Sequence, residues 1–454
     1  MKPTLQDRDR KYLWHPYTQM HDYATHDLLL IDHAEGLMLY DENGKSYYDT
    51  ISSWWCILHG HNHPTIKKSV QLQLERLDQV LLAGTSHEPA IKLAEKLITI
   101  TPPGLAKVFY SDNGSTACEV ALKMSLQYWR HQGRPERNRF IALERGYHGD
   151  TIGTMSLGGV PDFHKEFATI LFESYTVPSP YCYRCPMERE PANCRLECLD
   201  PLEKLLDEKG KTIAAMIIEP LIQAAGGMRI YPSRYLNRVT ELTARHSVHL
   251  ILDEVATGFG RTGKMFAFEH AEITPDFLCL SKGLTGGMLP MAATLTSDEV
   301  YNAFYGPYAE NKTFFHGHTF TGNPLAAAAA LGSLQVFEDE QPFDRMAATV
   351  PHLHKKMSAF LELPWVGDVR SLGMISALEL VKDKNSKEPF TPAERVGWPI
   401  YLKGLEEGII LRPLGNIIYL WLPVSTTVAD IDDITERMWR IMADERNIVG
   451  QWKK

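Results

Sequence analysis

An α/β fold, with a large domain built on a mostly parallel sheet and a smaller α/β domain formed by both chain ends, is what this sequence predicts. Three observations lead there. Short apolar runs, KVFYS (107–111), RFIAL (139–143), AAMIIE (214–219), HLILDE (249–254), FLCLS (277–281) and AATLT (292–296), read as buried strands. Helical patterns lie between them, and strands alternating with helices imply a parallel sheet covered on both faces. The third observation is a change of pattern after about residue 330, to a long helix, short strands and a last amphipathic helix, VADIDDITERMWRIMA. The predicted division is therefore 1–65 and 331–454 for the two parts of the small domain and 66–330 for the large one.

The elements follow from local chemistry. LMLYDENGKSYYD reads as a hairpin with Asn43-Gly44 at its turn. STACEVALKMSLQYW carries Ala117, Val120, Ala121, Met124 and Tyr128 on one helical face. LAAAAALGSLQVF is too short to span a bilayer and reads as a buried, alanine-rich helix.

Bulk composition narrows the function. At 454 residues, 44% hydrophobic and 23% charged, the chain reads as globular. A net charge of −9 without a long basic run argues against nucleic acid or an anionic membrane as partner. The charged start, MKPTLQDRDRKYLWHPYT, lacks the apolar core of a signal peptide, so a cytoplasmic protein is expected. Of seven cysteines, Cys182, Cys185, Cys194 and Cys198 cluster as C-x2-C-x8-C-x3-C. That spacing suits a tetrahedral thiolate metal site or a loop of reduced thiols. The second is expected, with no metal, because a domain this large needs no metal to fold.

The stretch HLILDEVATGFGRTGK (249–264) tests whether a nucleotide binds. Gly258, Gly260 and Gly263 match a dinucleotide fingerprint, and Gly263-Lys264 nearly completes a phosphate loop. Both readings fail on context. The strand ends in Asp253-Glu254, which would repel a phosphate, KMFAFEH opens no good helix, and position 265 is Met where a magnesium-binding hydroxyl is needed. The glycines are expected to shape a turn.

Asp253 is the better signal. It lies at the carboxyl end of a strand, where open α/β sheets place ligands. Lys282 follows 29 residues later at the end of the next strand, in LSKGLTGG. A lysine there is expensive to bury without a task. A carboxylate and a strand-end lysine are the pair pyridoxal 5'-phosphate requires: an amine to form the Schiff base and an acid to hold the ring nitrogen's proton. YSDNGSTACEV runs from a strand through Gly114-Ser115 into a helix, a natural anion site. Tyr147, in GYHGD, is another strand-end residue, with an aromatic face and a hydroxyl to offer.

These segments resemble the class III, fold-type I pyridoxal-phosphate aminotransferases, over nearly the whole chain. LILDEVATGFGRTGKMFAFEH, LCLSKGLTGG, GYHGDT and HGHTFTGNPLAAAAA carry the likeness. LWHPYTQM, SSWWCILHGHNHP, YSDNGSTACEVALKMSLQYW and LRPLGNIIYLWLP narrow it to the members that aminate 8-amino-7-oxononanoate in biotin biosynthesis. The resemblance implies that Lys282 is the Schiff-base lysine, that Asp253 pairs with the ring nitrogen, and that Gly114 and Ser115 hold the phosphate. It implies that His318 and Thr319 reach the phosphate from the other subunit, making the active unit a homodimer with shared sites. It places Tyr17, Trp54, Tyr147, Gly317 and Arg412 at the substrate. His318 stands where the pattern has Pro. Arg412 can offer a fork to a carboxylate or make a surface ion pair, and Trp55 can line an apolar slot or pack the core. Trp54 and Tyr419 offer the faces that a sulfonium and an adenine ring favour, so S-adenosylmethionine is expected as amino donor, lysine being the alternative.

Overall fold

The computed structural model describes residues 2–448, apart from the side chains of Pro161, Asp162 and Pro191. Three short antiparallel strands open the chain, β1 (Ile31–Glu35), β2 (Met38–Asp41) and β3 (Ser46–Tyr48), in that spatial order. The β2–β3 turn is the expected one. Gly44 sits at a φ of 79°, and the Asp41 carboxylate accepts from the N–H groups of Asn43 and Lys45 at 2.9 Å.

The central sheet has seven strands, β4 (Lys107–Ser111), β5 (Arg139–Leu143), β6 (Tyr175–Val177), β7 (Ile213–Ile218), β10 (His249–Asp253), β11 (Phe277–Leu280) and β12 (Ala292–Thr296). Between β7 and β10 lies a small ribbon, β8 (Ile222–Gln223) and β9 (Arg229–Ile230). The order across the sheet is β4-β12-β11-β10-β7-β5-β6, and only β12 runs against the others. The six expected strands are all present, shifted by a residue at most. The short edge strand β6, with one buried residue in three, carries too little periodicity to be read from sequence.

Burial explains the strand compositions. Every residue of β7, β10, β11 and β12 is buried, as unbroken apolar runs require in a sheet covered on both faces. Helix Gly114–His131 lies against this sheet. Its buried face includes Ala117, Val120, Ala121 and Tyr128, with Met124 packed at its edge, and extends to Cys118, Leu122, Ser125 and Trp129. The alanine-rich helix Pro324–Glu340 is likewise buried along most of its length. No helix among the described residues is long and apolar enough to cross a membrane.

The C-terminal sheet comprises β13 (Val366–Leu372), β14 (Ile375–Asp383), β15 (Glu388–Pro389) and β16 (Ile417–Trp421), with β14 paired to the other three. Both chain ends meet here. Tyr48 exchanges backbone hydrogen bonds with Gly408 and Ile410 at 2.9 and 3.0 Å, and the Trp421 N–H donates to Thr50 O at 2.8 Å.

Helix Val428–Met442 covers this region. Thr427 and Asp430 form its capping box, and Ile431, Ile434, Met438 and Ile441 are buried on one face. Packing outweighs capping in such a helix. Ile434→Ala is expected to destabilise by about 2–5 kcal/mol through the cavity it leaves, and Thr427→Ala by about 1 kcal/mol. Urea unfolding midpoints measure both, with Ile434→Ala giving the larger fall.

Candidate active site

Five chain segments deliver residues to the carboxyl edge of the central sheet. A cavity of about 390 Å³ opens there, lined among others by Asn113, Ser115, His148, Glu219, Asp253 and Lys282. Since β4, β5, β7, β10 and β11 run the same way, everything just past their ends converges on one place.

Asp253, the last residue of β10, is buried. One carboxylate oxygen meets His148 Nδ1 at 2.8 Å, and the other accepts the Val255 N–H at 3.1 Å. The Nε2 atom of His148 is buried without a partner. Lys282 follows β11 with a φ of 44°, a left-handed conformation that non-glycine residues adopt at a cost. Its Nζ lies 4.8 Å from the centre of the Trp55 ring. Burial pulls the Lys282 amine below the usual lysine range, opposed by the carboxylates of Asp253 and Glu219. Glu219, just past β7, is buried and accepts from the N–H groups of Tyr147 and Ala224 at 3.1 and 3.0 Å. Burial lifts its carboxyl to about 7.

Gly114 and Ser115 open the helix Gly114–His131, where Asn113 is the N-cap and accepts from the Thr116 N–H at 3.1 Å. Their own N–H groups precede the first intrahelical bond, so the turn is an electropositive cradle. Only glycine fits at 114, because a Cβ there would lie 2.5 Å from Val255 Cγ1. Gly149 comes down on the Ser115 side chain in the same way. This donor set fits pyridoxal phosphate: an anion cradle, a buried carboxylate with a histidine behind it, and an amine of lowered basicity on one cavity wall.

A second cavity, of about 480 Å³, shares Trp55, Cys56, Tyr147 and Lys282 with the first and adds Tyr17, Trp54, Arg412 and Tyr419. The Tyr17 and Tyr147 hydroxyls both donate to Asp150, at 2.7 and 2.8 Å, and lie 3.3 Å apart. Burial pushes the Tyr17 hydroxyl up to about 12 and raises that of Tyr147 as well. Arg412 lies over the Trp54 ring at 4.4 Å and, among the described residues, has no ion pair. Trp55 packs the core and lines both cavities: it stacks on Trp421 at 4.9 Å and donates from Nε1 to the Tyr419 hydroxyl at 3.3 Å.

The SSWW segment is a turn of left-handed helix. Ser52, Ser53, Trp54 and Trp55 have φ values of 51°, 44°, 71° and 74°. Arg261, fully buried in the glycine turn, holds it, donating to Trp55 O and Ile57 O at 3.2 and 2.6 Å and to Ser52 Oγ at 3.2 Å. The glycines shape that turn: Gly260 and Gly263 have φ values of 86° and 97°, and only a 3₁₀ turn, Ala267–His270, follows.

Gly317, His318 and Thr319 are not brought to either cavity. They line a third, of about 680 Å³, on the outer side of β4 with Leu81, Tyr110 and His316. His318 Nδ1 lies 2.8 Å from a carboxylate oxygen of Asp112, whose residue lines the first cavity.

Sequence reasoning passed over His148, Asp150, Glu219 and Arg261. Signals for three of them were present. His148 and Asp150 flank Tyr147 within GYHGD, and Glu219 is a strand-end acid like Asp253. Arg261 had none, because nothing local shows that its partners are carbonyls some 200 residues away in the chain.

The family model for Aminotransferase class-III matches residues 20–442. The chain is 48% identical over 434 residues to an adenosylmethionine-8-amino-7-oxononanoate aminotransferase of Geobacter sulfurreducens, covering 95% of this chain and 96% of that one. The crystal structure of the like-named enzyme of Methanocaldococcus jannaschii is 41% identical and superposes with a TM-score of 0.92 over 97% of this chain and 98% of that one. An amine transaminase from an uncultivated Pseudomonas species, in its PLP-bound form, is 33% identical and gives 0.91 over 95% and 98%. With the strand-end lysine and acid facing one cavity, and this likeness running almost from end to end, the chain belongs to the class III aminotransferases.

Proposed function

We propose that this protein is a pyridoxal-phosphate-dependent aminotransferase that converts 8-amino-7-oxononanoate to 7,8-diaminononanoate in biotin biosynthesis, with S-adenosylmethionine as amino donor. The observation that carries the chemistry is the placing of Lys282, Asp253 and the Gly114–Ser115 cradle around one cavity. The named relatives support the substrate.

When bound, the cofactor supplies an electron sink and carries the amino group between donor and acceptor. Gly114 and Ser115 would hold its phosphate through backbone N–H groups. Asp253, held in place by His148 Nδ1 and the Val255 N–H, would hold the proton of the ring nitrogen. Lys282 would bind it covalently. With its basicity lowered by burial, the amine would also serve to accept and release a proton at the substrate carbon. Glu219 acts at one remove, fixing the Tyr147 backbone and so the GYHGD loop.

The second cavity suits the substrates. Arg412, with no ion pair among the described residues, would clasp the carboxylate of the long keto acid, while Tyr17, Trp54 and Tyr147 wall its aliphatic chain. Trp54 is 39% exposed, with Arg412 over its ring at 4.4 Å and Tyr17 edge-to-face at 5.4 Å, and this aromatic wall suits an adenine or a sulfonium. Tyr419 lines the same cavity but is only 2% exposed, and its hydroxyl accepts from Trp55 Nε1 at 3.3 Å.

Gly317, His318 and Thr319 would complete the site of a second copy. Support comes from the exposed aromatics beside them, Phe315 and Phe320, with Tyr305 and Tyr308 nearby, which association would cover. On this reading the active unit is a homodimer in the cytoplasm, each chain folded as a 66–330 domain and a smaller one from 1–65 and 331–454.

Lys282→Ala is expected to lower turnover by at least about 10²–10⁴-fold, since it removes the proton carrier as well as the covalent anchor. Wild-type turnover in that variant overturns the mechanism. Asp253→Asn should retain cofactor by equilibrium dialysis yet lose about 10²–10³-fold in rate, because an amide cannot stabilise the protonated ring. Single-turnover mixing settles the donor: S-adenosylmethionine should bleach the yellow of the loaded enzyme, and 8-amino-7-oxononanoate should restore it. Bleaching by lysine alone replaces the donor but keeps the reaction. Restoration only by other keto acids or amine-derived ketones rejects the substrate.

A further inference from the structure

The connection 178–199, between β6 and helix Asp200–Lys209, contains only two 3₁₀ turns, Pro191–Asn193 and Glu197–Leu199. Connections of this length without regular structure are uncommon in a compact domain and call for a tether or a task. This one holds four of the seven cysteines, and all four line a single cavity of about 230 Å³. The other three lie elsewhere: Cys118 and Cys279 in the core against the central sheet, and Cys56 at the catalytic cavities.

We propose that Cys182, Cys185, Cys194 and Cys198 form a four-thiolate structural zinc site that staples this connection. The C-x2-C and C-x3-C pairs have the spacing such sites use. The rest of the wall is proline, leucine, tyrosine and two arginines, with no carboxylate or imidazole, so sulfur is the only soft donor a metal would find there. A set of thiolates with no carboxylate selects zinc over magnesium or calcium. The two arginines, Arg189 and Arg234, offset the net negative charge that four thiolates leave around a divalent ion. Arg234 is already fastened to the loop, donating to Cys194 O at 3.1 Å. The Leu196 N–H donates to Cys194 Sγ at 3.3 Å, a bond that orients and stabilises a thiolate ligand.

The sulfurs stand around the cavity and have not closed on a point. Among the described residues no three of them lie within 4.8 Å of one another. Zinc–sulfur bonds of about 2.3 Å would draw them in, so binding contracts the loop.

That contraction has a mechanical consequence. Tyr181 donates to Glu379 of β14, and Arg184 reaches the same carboxylate from Nη2 at 3.0 Å. Lys387 donates to Tyr183 O at 2.8 Å. The cysteine loop is thus the strap between the central and C-terminal sheets, and zinc would set its tension without touching the chemistry. The expectation of free thiols rested on the size of the domain. A large core does not order a long surface connection, and the convergence of all four sulfurs is what the spacing alone did not show.

The test is metal analysis of untagged holoenzyme, purified anaerobically from zinc-supplemented medium. About one zinc per chain is expected, falling below about a tenth in Cys182→Ser/Cys185→Ser. Should that variant fail to fold, the wild-type chain serves: zinc should protect Cys182 from alkylation and residues 178–199 from limited proteolysis, and a strong chelator should remove both protections. Less than about a tenth of a zinc per chain overturns the site. So does iron in its place, or alkylation of Cys182 at the same rate with and without zinc.

Discussion

The Asp253–His148 pair, 2.8 Å apart beneath the carboxyl edge of the sheet, sets the terms for everything around it. A carboxylate at the end of a fully buried strand is costly to bury unless polar groups meet it. His148 and the Val255 N–H do so, and each brings its own segment with it. The histidine ties the loop after β5 to the end of β10. Val255 fills the space against Gly114, which brings in the helix after β4. One buried carboxyl group thereby locates the anion cradle, the GYHGD loop and, through Glu219, the end of β7.

A second constraint runs through the left-handed turn at 52–55. Left-handed backbone costs about 1–2 kcal/mol per non-glycine residue, so four in succession need compensation. The buried guanidinium of Arg261 provides it, in two hydrogen bonds to the segment, a third to Ile57 O just beyond it and a fourth to Leu422 O at 2.7 Å. An arginine wrapped in carbonyls is itself a desolvated charge, and burial lowers it to about 9. The two costly elements satisfy each other, and the result turns Trp54 outward to the second cavity and Trp55 inward onto Trp421. Adjacent residues acquire different roles because of the hand of the backbone between them.

Much of this was legible in the chain. The buried strands were, because a run of apolar residues bounded by turn residues has few other uses. Asp253, Lys282, Gly114, Ser115 and Tyr147 were, because chemistry concentrates at strand ends and a charged or small residue there stands out against the apolar run. The likeness to class III aminotransferases was, because its motifs span the whole chain.

Tertiary structure decided the rest. β6 pairs because a neighbour offers an edge, not because its three residues demand it. His148 became the partner of Asp253, and Glu219 the anchor of Tyr147, because strands far apart in sequence lie side by side. Ser52–Trp55 reads locally as ordinary backbone, and only the carbonyls facing Arg261 make its left-handed turn tolerable. The four cysteines had a spacing in the sequence but acquired a common cavity in the fold. The physical reason is the same throughout. Hydrophobic period and turn chemistry are local properties that a sequence carries in itself, whereas the pairing of a buried polar group depends on which distant segment packing brings beside it.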